Sequence, residues 1–271
     1  MQEEVRGIIR WSDADVVTDL ATVPPTPNSR DWPEVIEVLC RDMNTTELVP
    51  AQAAAAPQSA DAFFYLTLNF LIGNWRLDRG FWNASSWRPN PHSPSISRAI
   101  DGLSVGNETF LQEAGAAVND LAFNSDRELV IQTSGVQTID FAIQNFDDGA
   151  HPLHLHGYKY YVLASGHGHF NKDVYTNLDL TNPLRRDTAT IESYGWLLIR
   201  FVADNAGMWA FHCHNSWHVE AGLLMQFMVR SEEIAKWTLP EANMALCRAE
   251  GLENGMAPPD EQFFGFKDDG D

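Results

Sequence analysis

Between Asp61 and Val229 the apolar side chains recur in short runs separated by clusters of Gly, Asn and Asp. Phe63 to Leu71 alternates weakly and is rich in Phe, Tyr and Leu. Leu129 to Gln132, Gln137 to Ile143, Tyr158 to Leu163, Thr188 to Glu192, Gly195 to Val202, Met208 to His214 and Leu223 to Val229 continue the series. Many short runs of this kind predict strands of a β-sandwich or barrel. Ser231 to Trp237 predicts a short helix, with Ser231 as N-cap and acids in its first turn. Before residue 61 the pattern is weaker. Residues 5–10 suggest a strand, Pro24, Pro25 and Pro27 a connector, Asp31 to Leu39 a turn or two of helix, and Ala51 to Ala56 a loop. From Ala257 the chain is rich in Pro and Asp and predicts a mobile tail. The expected division is therefore 1–13 as a strand-bearing opening, 14–60 as linker, 61–250 as the domain and 251–271 as an acidic tail. No internal repeat is visible.

Composition narrows the possible partners. The formal net charge is −19 over 271 residues, which argues against nucleic acid. No apolar run approaches the roughly 18–20 residues of a membrane helix. The first residues do not read as a signal peptide. Three sequons, at Asn44, Asn83 and Asn107, nevertheless point to the secretory route. Together these lead to the expectation of an extracellular protein whose N-terminus has been lost. Of the three cysteines, Cys40 and Cys247 have two open readings, pairing with each other or with thiols outside this chain.

The chemistry lies in two runs, His151-Pro-Leu-His154-Leu-His156-Gly157 and His212-Cys213-His214-Asn-Ser-Trp-His218, which hold six of the nine histidines. Imidazole and thiolate bind borderline and soft transition metals, and packing alone does not account for such clustering. On a strand, side chains alternate faces, so His212 and His214 share one face and Cys213 takes the other. The strand is then a short covalent path between two metal centres. A trigonal blue-copper site needs two imidazoles and a thiolate. Cys213 and His218, separated by enough residues for a turn, supply two of these, and His151 is the candidate for the third. Leu223 stands where an axial ligand would approach and cannot coordinate, which should raise the potential. His154 and His156 share strand parity. His167 and His169 read as a solvated loop, His92 as a loop residue between prolines, and Met225 as core packing.

These motifs resemble the C-terminal cupredoxin domain of the multicopper oxidases, most closely ascomycete fungal laccases. Trp87-Arg-Pro-Asn90, Asn182-Pro-Leu-Arg-Arg-Asp-Thr188 and Asp204-Asn-Ala-Gly-Met-Trp-Ala-Phe211 support the likeness, which runs from about residue 60 to 250. Residues 1–13 resemble the end of the family's second domain. The resemblance implies an all-β, cupredoxin-like Greek-key sandwich or barrel with short peripheral helices. It implies copper as cofactor, with His151, Cys213 and His218 as type 1 ligands and Leu223 at the axial position. His154 matches a type 2 ligand, and His156, His212 and His214 match type 3 ligands. It further implies one-electron oxidation of a phenol-like donor at the edge of His218, with electrons passing from Cys213 through its flanking histidines to a trinuclear cluster that reduces dioxygen to water.

The departures from the family are large. The cluster needs two further H-x-H pairs from a first domain, and the only other H-x-H here, His167 and His169, has the wrong context. The type 1 centre is therefore expected to be complete and the type 2 and type 3 sites partial, awaiting the N-terminal cupredoxin domains as partners. Cys247 resembles a cysteine that pairs with the first domain. The ending Asp268-Asp-Gly-Asp271 does not match the family's channel-plugging tail. A single-domain blue-copper electron carrier and an inactive fragment are the alternatives.

Overall fold

The computed structural model describes residues 48–72 and 78–249. The chain divides between residues 43 and 44, and the described residues all belong to the second unit. The strand over 5–10, the proline connector, the turn at 31–39, Cys40, the Asn44 sequon and the acidic tail lie outside the described residues.

Two six-stranded sheets make the domain. The first contains β1 (Ala62–Ile72), β2 (Asp78–Trp82), β5 (Gln137–Asn145), β7 (Tyr160–His167), β8 (Leu184–Arg186) and β10 (Gly195–Ala203), in the order β2-β1-β5-β10-β7-β8. The second contains β3 (Gly115–Val118), β4 (Val130–Ser134), β6 (His151–Leu155), β9 (Thr188–Ile191), β11 (Gly207–Cys213) and β12 (Leu224–Val229), in the order β3-β4-β12-β11-β6-β9. Pairing is antiparallel except β1 with β5 and β12 with β4. Strands close in sequence thus alternate between sheets, as in a cupredoxin-like sandwich.

Alternation builds the core. Leu66 and Leu68 of β1, Ile139, Phe141 and Ile143 of β5, and Leu197, Ile199 and Phe201 of β10 face Phe211, Cys213, Met225, Phe227 and Val229 of the opposite sheet. Met225 pairs with Phe211 and is fully buried, so it packs the core as expected. The other faces of β4 and β12 are covered by α1 (Ser95–Ser104), whose Ala99, Ile100 and Leu103 meet Val130 and Met228.

The outer face of the first sheet is also covered. Arg200 and Asp140 form a buried ion pair, the Tyr175 hydroxyl donates to Asp140 at 2.7 Å, and Arg200 also donates to the Pro57 carbonyl. Arg185 donates to the Gln52 and Ala54 carbonyls. Residues 50–60, expected to be linker, are therefore bonded along the sandwich. They have no regular secondary structure, as expected for 51–56.

Several local expectations differ from the structure. β11 ends at Cys213, with His214 just beyond it. His167, expected in a solvated loop, is the last residue of β7, because Gly195 and Trp196 of β10 pair with His167 and Gly166. The helix after β12 is α3 (Ser231–Ile234), shorter than expected, and its N-cap is Arg230 rather than Ser231. Arg230 takes a left-handed φ of 56°, and its carbonyl accepts the first helical bonds. Glu232 and Glu233 occupy the first turn as expected. Among the described residues no helix is long and apolar enough to cross a membrane.

Candidate metal centre

β6 and β11 lie side by side with His154 opposite His212 and Leu153 opposite Cys213. Directly opposed residues share a face. One face of this pair therefore carries histidines, and the other buries Cys213 in the core. Beyond the strand, the His214 amide donates to the Pro152 carbonyl at 2.7 Å, which extends the contact between the two runs. Pro152 has no N–H to donate, and it sits in β6 opposite Thr190 of β9.

On the core side, His151 Nδ1, His218 Nδ1 and Cys213 Sγ converge. The two nitrogens are 3.0 Å apart, and the sulfur lies 3.7 Å from the first and 3.3 Å from the second. Among the described residues this is the one grouping of three or more such donors within 4.8 Å of one another. Nitrogen and sulfur ligands held about 2.0–2.3 Å from an ion in a trigonal plane stand roughly 3.5–3.7 Å apart. A small outward movement of His218, which opens the 3.0 and 3.3 Å separations, thus turns these side chains into a metal triangle. Two imidazoles and a thiolate are the donor set that suits copper.

The rest of the chain sets this triangle. Asp147 accepts from His151 Nε2 at 3.0 Å, which leaves the Nδ1 lone pair aimed at Cys213 and His218. Phe70 of β1 stacks on the His151 ring at 5.7 Å and lies against the His218 ring at 4.7 Å. His151 and Cys213 are fully buried, whereas His218 is half-buried and is the donor that reaches the surface. His218 rides on α2 (Ser216–Glu220), which is started by the Asn215 side chain accepting from the Trp217 amide. Leu223 lies directly across from Cys213 and is fully buried; its carbonyl accepts from the Cys213 amide at 3.2 Å.

The loop carrying His218 is tied to β2 and to the chain just after it. Gly80 N donates to the Ala221 carbonyl, Ser86 Oγ donates to the same oxygen, and Trp87 N donates to the Gly222 carbonyl. Asp147, Phe70 and this tether are the parts that sequence reasoning missed. Gly222 was the available signal, since a glycine after a ligand-bearing turn invites the question of what crowds it.

On the opposite side His154, His156, His212 and His214 form an open face, with ring centroids 4.8 to 5.8 Å apart where they meet. His156 Nε2 and His212 Nε2 are 2.9 Å apart. His212 Nδ1 donates to the Cys213 carbonyl at 2.8 Å, and His154 Nδ1 donates to the Asp187 carbonyl at 2.9 Å. In both rings the bonded nitrogen fixes the tautomer and leaves Nε2 free to ligate. Gly157, at φ 75°, turns the chain under Trp209, where a Cβ would fall 2.6 Å from the indole. His167 and His169 are exposed and stand apart from both groups. His92 lies in a turn, with Nδ1 3.0 Å from the Cys247 carbonyl, and Cys247 is a free thiol.

Burial lowers His151, His218, His156 and His212 below the usual imidazole pKa, so these rings are neutral at pH 7. Burial pushes the Cys213 thiol up to about 11. The free protein therefore holds a proton on sulfur at neutral pH, and a metal that binds thiolate must displace it. Copper affinity is expected to rise about tenfold per pH unit between pH 7 and 9, one proton leaving per ion. Chelator-competition titrations at pH 7, 8 and 9 measure that slope, and a flat profile would remove Cys213 from the ligand set.

The multicopper oxidase family model matches residues 92–233. Laccase-9 of Arabidopsis thaliana is 34% identical over 144 residues, covering 52% of this chain and 23% of that protein. The iron transport multicopper oxidase fio1 of Schizosaccharomyces pombe is 40% identical over 118 residues, covering 42% of this chain and 19% of that one. The chain thus spans a fifth to a quarter of the length of these two relatives. Among solved structures, Fet3p, a multicopper oxidase that functions in iron import, superposes with a TM-score of 0.65 at 20% identity, over 89% of this chain and 44% of that one. The laccase from Botrytis aclada gives 0.59 at 25% identity, over 81% and 38%.

Proposed function

The chain belongs to the multicopper oxidase family, and from that premise we propose that it carries the C-terminal cupredoxin domain of a laccase-like enzyme. In this reading His151, Cys213 and His218 hold a type 1 copper. His154 belongs to a type 2 site and His156, His212 and His214 to a type 3 pair. Copper bound at these sites supplies one-electron oxidation of a phenol-like donor and reduction of dioxygen to water.

The observation that carries the reading is the two-sided strand. Cys213 Sγ joins two imidazole nitrogens on the core side, while His212 beside it faces the other histidines and is hydrogen-bonded to the Cys213 carbonyl. The chain's own residues have separable tasks. His218, half-buried on its helical turn, presents an imidazole edge to a donor. Phe70 and Leu223 keep water from the thiolate. Asp147 orients His151. A blue-copper electron carrier would leave the four-histidine face without a use. Histidines from N-terminal cupredoxin domains would complete that face, and the three sequons support an extracellular, glycosylated protein.

Copper titration of the purified chain tests the proposal. One of the ions bound per chain is expected to give an intense thiolate charge-transfer band, while metal at the four-histidine face gives none. Phenol-dependent dioxygen uptake is expected only when a segment carrying two H-x-H pairs is supplied in trans or in cis. Tight copper binding without the thiolate band would sink the type 1 assignment. Full dioxygen reduction by this chain alone would sink the shared cluster.

A further inference from the structure

We infer that Asn83 is an N-glycan acceptor and that the Ser85 hydroxyl serves this modification rather than the fold. The inference rests on the secretory part of the proposed function. Asn83 follows β2, an edge strand of the first sheet, in the turn Trp82-Asn83-Ala84-Ser85. It is exposed at φ 54°, a conformation that Asn tolerates better than most residues. Its Oδ1 accepts from Thr67 N at 2.8 Å and Thr67 Oγ1 at 3.0 Å. A glycan bonded to Nδ2 leaves both of those contacts in place, because they use the oxygen.

Ser85 is the informative residue. Its backbone exchanges two hydrogen bonds with Trp82, at 2.8 and 2.9 Å. Its side chain is 97% buried, and Oγ has no protein partner among the described residues. Burying a hydroxyl without a partner is unfavourable, and alanine would keep both backbone bonds without that penalty. The folded domain therefore has no use for the hydroxyl. The Asn-x-Ser pattern does have one, because the acceptor sequence is read with Ser or Thr two residues after Asn. Asn107 differs in this respect. Thr109 Oγ1 donates to Asn107 Oδ1 at 3.0 Å, and Asn107 caps a short 3-10 turn, so local structure explains that sequon.

In the transfer, Asn83 Nδ2 attacks C1 of a lipid-linked oligosaccharyl diphosphate. The Nδ2–C1 bond forms, the C1–O bond to the diphosphate breaks, the lipid diphosphate leaves and Nδ2 gives up one proton. With Ser85 buried in the finished domain, transfer precedes folding.

The test is glycopeptide mass spectrometry on the full chain secreted behind a leader from a eukaryotic host, with melting curves on enzymatically deglycosylated protein. The parent is expected to carry glycan at Asn83. Ser85→Ala is expected to lose it at Asn83 alone and to melt at or above the deglycosylated parent. An unmodified Asn83, whether or not Asn107 is occupied, overturns the inference. So does a Ser85→Ala protein that melts below the deglycosylated parent, since the hydroxyl would then be structural. Copper colour in the same samples reads the proposed function separately. Blue protein without the Asn83 glycan sinks only this inference, and glycosylated protein that binds no blue copper sinks only the other.

Discussion

Cys213→Ser is expected to abolish the thiolate charge-transfer band of the copper-loaded chain completely, while metal uptake by the four-histidine face persists. The first half follows from the donor set. Among the described residues Cys213 is the one cysteine near the two imidazole nitrogens, and the other described thiol, Cys247, lies against the Asn243 carbonyl at the end of α4 (Glu241–Leu246). A serine hydroxyl is not ionised at neutral pH and is a hard ligand, so it neither gives the band nor favours copper as sulfur does. The second half follows from strand parity. His154, His156, His212 and His214 project from the opposite side of β6 and β11, and the tautomers of His154 and His212 are held by main-chain and Thr188 contacts that serine leaves alone. The exchange is nearly isosteric but buries a hydroxyl, at a cost of about 1–3 kcal/mol unless His218 Nδ1 takes it up. Absorption, copper stoichiometry and far-ultraviolet circular dichroism on one preparation separate these effects. A surviving band would show that the thiolate had been misassigned. Loss of metal from both faces in a folded protein would show that they are not independent sites.

The separation of the Cys213 thiol from the His212 imidazole was legible because it rests on residue type and a period of two. His212-Cys213-His214 on any strand separates thiol from imidazoles, and no tertiary information is needed for that step. The position of His218 was legible for a related reason: the gap after Cys213 suits a turn, and the chain takes a helical one. What was not legible is which strands meet. The pairing of His154 with His212 is set by β6 lying against β11, two segments far apart in sequence. Asp147 and Phe70 gain their roles through the same long-range packing, since neither carries a motif. α1 is a different case. Ile96, Ala99, Ile100 and Leu103 have helical spacing, so the element was readable, but the run is short and the prolines before it mask its start. At the join between β12 and α3, the left-handed Arg230 reset the helix start by one residue, a backbone choice that Ser231 does not reveal. The end of β7 escaped notice because Gly166 and Gly168 look like turn residues. There Gly166 leaves room for Trp196, whose indole would stand 2.9 Å from any Cβ at that position.

Gly222→Ala should produce the second large loss, with Cys213, His151 and His218 all still present. Gly222 has φ 102°, where an L side chain is strained by about 1–3 kcal/mol. Its added Cβ would fall 2.2 Å from Ser86 Oγ and 3.1 Å from both Trp87 N and Trp87 O. The serine can rotate away, but the Trp87 backbone is held by its own bond to the Gly222 carbonyl at 2.8 Å. The clash must therefore push the 218–223 loop off residues 80–87, and that loop carries His218 and delivers Leu223 opposite Cys213. Strain and overpacking together should cost about 3–5 kcal/mol of stability. Copper affinity should fall with it, because an imidazole displaced by even 1 Å no longer closes the donor triangle. Thermal melting and copper titration of the parent, Gly222→Ala and the Gly222→Ala/Ser86→Ala pair distinguish the causes. Removing Ser86 Oγ relieves the shortest contact but neither the backbone strain nor the Trp87 contacts, so rescue should be partial. A Gly222→Ala protein that melts and binds copper like the parent would mean that the tether between the two loops does not position the ligand.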